Sequence, residues 1–251
     1  MNATVIAGLA FAGILGATLL GMHLRAALPD HHLSAETKDT VRLGMGLVAT
    51  MTALLLGLLI ASAKGSYDTQ RSQMIQMAAK GVFLERVLIV YGPETAQTRT
   101  LLRGTTEGMI QELWPDSGSQ EAQVDPTTST AQALYNSLHK LVPQNDEQRA
   151  LKAQALETAT DLGKTRWLLF AQADTSIPTP LLVIVVLWLA IIFLSFGLFA
   201  PKNKTVIITM IIVSLSVSSA LFLILELDRP FDGVIQVSSA PMHNALSQLG
   251  R

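Results

Sequence analysis

Four stretches of this chain, residues 1–22, 43–63, 179–200 and 205–225, contain no Asp, Glu, Lys or Arg. Each matches the roughly 20 apolar residues that a helix rising 1.5 Å per residue needs to cross a hydrocarbon layer about 30 Å thick. Backbone amides in lipid must bond within their own segment or a closed barrel, so stretches of this length are held to helices. The pattern predicts an all-α integral membrane protein whose four transmembrane helices form a 2+2 layout around an extramembrane helical bundle. Residues 1–64 read as a first hairpin, with spans at about 4–22 and 43–63. Residues 178–226 read as a second, with spans at about 179–200 and 205–225. Between them lies an amphipathic helical domain, 65–177, and after them a tail, 227–251, with one short helix.

Charge supports that class and removes others. Only 15% of the 251 residues are charged, against about 25% in soluble domains. A net charge of −1 gives no basic field, so no nucleic-acid partner is expected. The chain has no cysteine, which excludes disulfides, thiolate metal sites and thiol nucleophiles. The first span lacks a basic leader and outruns a signal-peptide apolar core, so it reads as a retained anchor.

The second span carries the most organised pattern. Ser34 offers a helix cap ahead of it, and no charge falls between Arg42 and Lys64. Gly46, Thr50, Ala53, Gly57 and Ala61 recur at spacings of four, three, four and four, with Leu47, Met51, Leu54 and Leu58 opposite. Helices associate in lipid through small residues that let backbones approach, so this stripe should face protein. A neighbouring span of the same chain, another subunit or a pore would each satisfy it.

In the middle segment Tyr67, Gln70, Met74, Met77, Gly81, Leu84, Leu88 and Tyr91 keep a three-four spacing, ended by Gly92-Pro93. No strong breaker separates this stripe from the second span, so one long helix is expected to carry both. Three further helices follow: one with Thr98, Leu102, Thr105, Met109 and Leu113 aligned, one opened by Asp125-Pro126, and one opened by Asn145 with Gln148 as a capping box. Four such helices can close an antiparallel bundle.

Enzymatic motifs are missing, and no ionisable residue sits inside a span, which argues against a proton relay or a catalytic role. No cofactor is expected. The fourth span carries Ser214 and Ser218 one turn apart, satisfied by back-bonding or lining a wet path. It exits into Glu226, Asp228, Arg229 and Asp232, which would bind a cation, form an acidic ring in an oligomer, or pair internally with Arg229. The adjacent His31 and His32 are weak candidates for a metal, and no metal site is assigned. Cations near the span ends divide evenly. Arg25, Lys38, Arg42, Lys202 and Lys204 lie on one side; Lys64, Arg71, Lys164, Arg166 and Arg229 lie on the other. Both termini and the 65–177 domain share a side, and Arg25 alone hints that it is the outside.

Two runs resemble a known family. His31-His32-Leu33-Ser34-Ala35-Glu36-Thr37-Lys38-Asp39, continuing through Gly44-Met45-Gly46 to Ala63-Lys64-Gly65-Ser66-Tyr67, is similar to the bacterial bestrophin-like membrane proteins of unknown function. So is the late run Leu227-Asp228-Arg229-Pro230-Phe231-Asp232-Gly233. The resemblance implies an oligomeric ion channel, pentameric and anion-conducting as in bestrophins, with its second span along the pore. It also implies a bacterial inner membrane with termini and helical domain in the cytoplasm. The consecutive carboxylates that clasp Ca²⁺ in bestrophins have no counterpart here. The other reading is a non-conducting sensor or scaffold whose helical domain binds a partner or ligand.

Overall fold

A computed structural model describes residues 2–29, 34–115, 129–172, 177–201 and 203–250. Every regular element among the described residues is helical: α1 (Ala3–Ala27), α2 (Ala35–Tyr91), a 3-10 turn (Pro93–Thr95), α3 (Ala96–Leu113), α4 (Ser129–Lys140), α5 (Asp146–Ala171), α6 (Thr179–Phe199), α7 (Lys204–Leu227) and α8 (Ala240–Leu246). The helices α1, α2, α6 and α7 are long and apolar enough to cross a membrane, and the chain is a multi-pass membrane protein. It divides into two compact units, residues 1–66 with 176–228, and residues 67–175 with 229–251.

In the first unit, α1 packs against both α6 and α7. Its buried face runs through Ala10, Ile14, Thr18, Gly21 and Met22. The α1–α6 crossing is a backbone contact made possible by two glycines. A Cβ on Gly21 would lie 2.2 Å from the Leu194 carbonyl oxygen, and one on Gly197 would lie 2.0 Å from that of Thr18. Neither position tolerates a side chain, and this is how helices in lipid gain dispersion contact without a hydrophobic driving force. Arg25, in the last turn of α1, donates to the carbonyl of Ala200, the C-cap of α6, and so satisfies a carbonyl that the helix leaves unpaired. The turn before α7 is short, as its sequence suggests, and Asn203 caps α7 by accepting from the Val206 amide at 2.8 Å. Lys202 lies outside the described residues.

The second unit buries the predicted α2 stripe. Gln70, Met74, Met77, Gly81, Leu84, Leu88 and Tyr91 are all buried, with Tyr67 half-buried. On α3 the buried face is Thr98, Leu102, Thr106, Met109, Ile110 and Leu113, so Thr106 replaces the expected Thr105. Gly92, at φ 136°, ends α2 in a conformation that favours glycine. Asn145 caps α5 at 2.7 Å from the Gln148 amide. Gln148 does not return to the Asn145 amide as a capping box would. Its Oε1 accepts from the Gln144 amide at 2.8 Å and its Nε2 donates to the Tyr91 carbonyl at 2.9 Å, so one side chain ties the end of α2 to the start of α5. The expected Asp125-Pro126 start lies outside the described residues.

The tail belongs to this unit. Val237, Met242 and Ala245 join the core of Met74, Met77, Met109 and Leu169, while Leu249 joins Leu84, Leu88 and Leu138. Trp114 donates to the Val237 carbonyl at 2.9 Å and stacks edge-on against Phe231 at 5.9 Å.

Candidate functional site

The second span presents three different faces. Ser34 accepts from the Thr37 amide at 3.3 Å and opens α2. Thr52, Leu59 and Ala63 are buried in the unit, with Met45, Val48, Leu55 and Leu56 half-buried beside them. Leu47, Leu54 and Leu58 are 61–71% exposed, as a lipid-facing row should be. The third face is the small-residue stripe, and Gly46, Thr50, Ala53, Gly57 and Ala61 are all exposed.

That exposure distinguishes two kinds of glycine. At Gly21 and Gly197 a Cβ would collide with backbone, whereas at Gly46 and Gly57 it would meet no atom within 4 Å. A glycine inside a helix costs about 1 kcal/mol relative to alanine. The α1–α6 crossing accounts for that cost at Gly21 and Gly197. Nothing among the described residues accounts for it on α2. Thr50 donates to the Gly46 carbonyl at 2.9 Å, so its hydroxyl proton is held by its own helix.

At 3.6 residues per turn the stripe and two cations share about 100° of arc. Arg42 precedes Gly46 by four residues, and Lys64 follows Ala61 by three. Both are exposed. Arg42 pairs with Asp39 at 3.6 Å in an open setting, where solvent screening leaves little net energy. A cavity of about 370 Å³ opens beside this end of α2, walled by Lys38, Arg42 and Gly46 with Phe196 and Phe199 of α6, so the Gly46 end of the stripe borders a neighbouring span of the same subunit.

The fourth-span hydroxyls separate into two classes. Thr209, Ser216 and Ser219 are exposed and back-bond to Thr205, Ile212 and Leu215 at 2.8–2.9 Å. Ser214 and Ser218 are buried, and neither Oγ has a hydrogen-bond partner among the described residues. They lie on the face of α7 turned into the unit.

The acidic exit is more buried than its composition suggests. Glu226 is 2% exposed and Asp228 is 8% exposed, and both have polar partners. Arg229 makes no ion pair among the described residues, so it is not what holds them. Asp232 donates its amide to the Arg229 carbonyl at 3.1 Å. His31 and His32 lie outside the described residues. Among those described, no group of three His, Asp or Glu could hold a metal.

Sequence reasoning missed the polar lock in the second unit. Glu85, 2% exposed, accepts from Arg99 at 2.7 Å and from the Gly250 amide at 3.0 Å. Arg103 donates to the Leu249 carbonyl at 2.8 Å. The signal was present, because a glutamate directly after Leu84 on an apolar stripe must find a partner. Arg166, 5% exposed, likewise pairs with Glu112 at 2.8 Å. Outside the membrane, hydrogen bonds from Lys80 and then Lys164 lower the Asp161 pKa, while burial and then the Glu94 charge raise that of Tyr91.

A chain of four lipid-length helices joined to a polar helical unit, with an exposed small-residue face on one span, defines a multi-pass all-helical membrane protein. A bestrophin-like domain profile matches residues 12–242, and the chain belongs to the bestrophin-like family. Among solved structures it is similar to crystal structures of a bacterial bestrophin homologue from Klebsiella pneumoniae. One single-substitution variant matches at TM-score 0.71 and 13% identity, covering 99% of this chain and 97% of that one. A second variant matches at 0.68 and 13%, covering 96% of each. A structure phased on zinc matches at 0.66 and 14%, covering 94% and 95%. At these identities the likeness establishes the fold. No curated protein matches the chain.

Proposed function

We propose that copies of this chain assemble around an axis lined by the small-residue face of α2 and conduct ions across a bacterial inner membrane. The observation that carries this reading is the exposure of Gly46, Thr50, Ala53, Gly57 and Ala61 on a span whose other exposed face is a row of leucines. Membership of the bestrophin-like family supports it. A pentamer is the assembly that the family resemblance favours. Four spans keep both termini and the helical unit on one side, taken as the cytoplasm.

Anions are the permeating class that the charges favour. The innermost charges at the two ends of the stripe are Arg42 and Lys64, with carboxylates at Asp39 and Asp68 about one turn beyond. Ser214 and Ser218 enter as a polar seam inside each subunit rather than as part of the path. The carboxylates of Glu226 and Asp228 enter as structural groups at the span exit.

Purified full-length chain in planar bilayers tests this. The expected result is single-channel current from an oligomer, with a reversal potential in a KCl gradient near that of Cl⁻. A reversal near that of K⁺ would overturn the ion class. Silence across salts, pH and Ca²⁺ from protein shown to be oligomeric would overturn conduction. Thr50→Phe should cut current severalfold with assembly retained, and unchanged current would remove Thr50 from the path.

A further inference from the structure

The second unit contains a half-open cavity of about 470 Å³ bordered by α2, α3, α4, α5 and α8. That is within the usual size of small-molecule sites, about 300–1,000 Å³. Protein interiors are otherwise packed to crystal density, and a cavity of this size leaves the apolar part of its wall without protein neighbours on one side. Its wall is mostly hydrocarbon and thioether, with Met77, Met109 and Met242 from three different helices. Methionine adapts its shape to varied ligands. The threonines in the wall offer little polarity. Thr105, Thr106 and Thr160 donate to the carbonyls of Leu101, Leu102 and Leu156 at 2.8–2.9 Å, which turns their hydroxyl protons into the helices.

One wall residue is charged. Arg166 borders the cavity while its pair Glu112, 2.8 Å away, is outside the wall. The end of the pair that faces the void is therefore the positive one. Gly81 marks how empty the space is. It is buried, yet a Cβ built on it would meet no atom within 4 Å.

We infer that this cavity is a binding site for a small amphipathic anion, with an apolar body among the methionines and an acidic head toward Arg166. The site lies wholly within the second unit and does not depend on whether α2 lines a conducting path. A ligand held there would tie five helices of the unit together.

Octanoate is a suitable probe, and octanol is its neutral match. Full-length chain in lipid nanodiscs is titrated with radiolabelled octanoate, with empty nanodiscs as the blank. One saturable site per chain is expected, with octanol at least tenfold weaker as a competitor. Gly81→Leu and Ala159→Leu, from different helices, each fill the cavity and should weaken octanoate at least tenfold. The second keeps the test open if the first does not fold. No saturable binding above empty nanodiscs overturns the site. Equal competition by octanol overturns the acidic head, and binding unaffected by a folded filling variant overturns the location.

Discussion

Replacing one glycine at a time in the spans separates contacts made within a subunit from contacts proposed between subunits. In Gly197→Ala the new Cβ would lie 2.0 Å from the Thr18 carbonyl oxygen. A close carbon–oxygen contact is about 3.3 Å, so α1 and α6 must part by about 1.3 Å. A gap of about 0.5–1 Å already forfeits a quarter to a half of each dispersion contact along the crossing. Overpacking costs about 1–3 kcal/mol, and the obstacle here is backbone that cannot rotate away, so the upper end applies. Gly57→Ala is the control. Its Cβ meets nothing within 4 Å in the subunit, and alanine is the better helix former by about 1 kcal/mol. The two alanine variants should therefore differ by about 4 kcal/mol in subunit stability, with opposite signs. Gly57→Leu extends the test outward, because a larger side chain on the stripe should narrow the axis and cut conductance while the subunit still folds and assembles. Thermal melting of the detergent-solubilised full chain reads the first pair, and planar-bilayer conductance, with mass photometry to show that assembly is retained, reads the third variant. If Gly197→Ala melts with the parent, the α1–α6 backbone contact is not what holds these helices. If Gly57→Leu assembles and leaves conductance unchanged, the stripe does not line the path.

Three further outcomes follow from the second unit. Glu85→Ala leaves Arg99 and the Gly250 amide without their shared acceptor, and should cost about 3 kcal/mol, read as a lowered melting temperature; a melt like the parent's would show that the lock is not structural. Trypsin should also release the tail faster in that variant, since the tail ends on Glu85 and Arg103. Asp161 has its pKa lowered by Lys80 and Lys164, so its stabilising contribution is complete above the ordinary carboxylate value and is lost as pH falls through the lowered one. Below about pH 4 the parent should lose melting temperature more steeply than Asp161→Asn, and parallel acid profiles would remove the carboxylate from the account.

The helices of the second unit were legible where burial follows periodicity. The stripe from Gln70 to Tyr91 is buried as spaced, because a three-four repeat of apolar residues has one way to leave water. The Thr105-to-Thr106 shift on α3 shows the limit. Two adjacent threonines look alike in a pattern, and only the neighbouring helices choose between them. The same limit governs the fourth span. Spacing aligned Ser214 with Ser218 but carried no sign of which hydroxyls were turned inward, and the exposed Ser216 and Ser219 are the ones that back-bond.

By itself the sequence determined that this chain crosses a membrane with helices, since about twenty uncharged residues cannot be accommodated otherwise. It also determined that the second span bears a small-residue face, since that depends only on 3.6 residues per turn. Tertiary structure decided what meets each face. Gly21 and Gly197 look no different in sequence from Gly46 and Gly57, yet the first pair is closed by backbone within the subunit and the second is open. Contact depends on how helices cross, and crossing is settled by every side chain at the interface together rather than by any one segment.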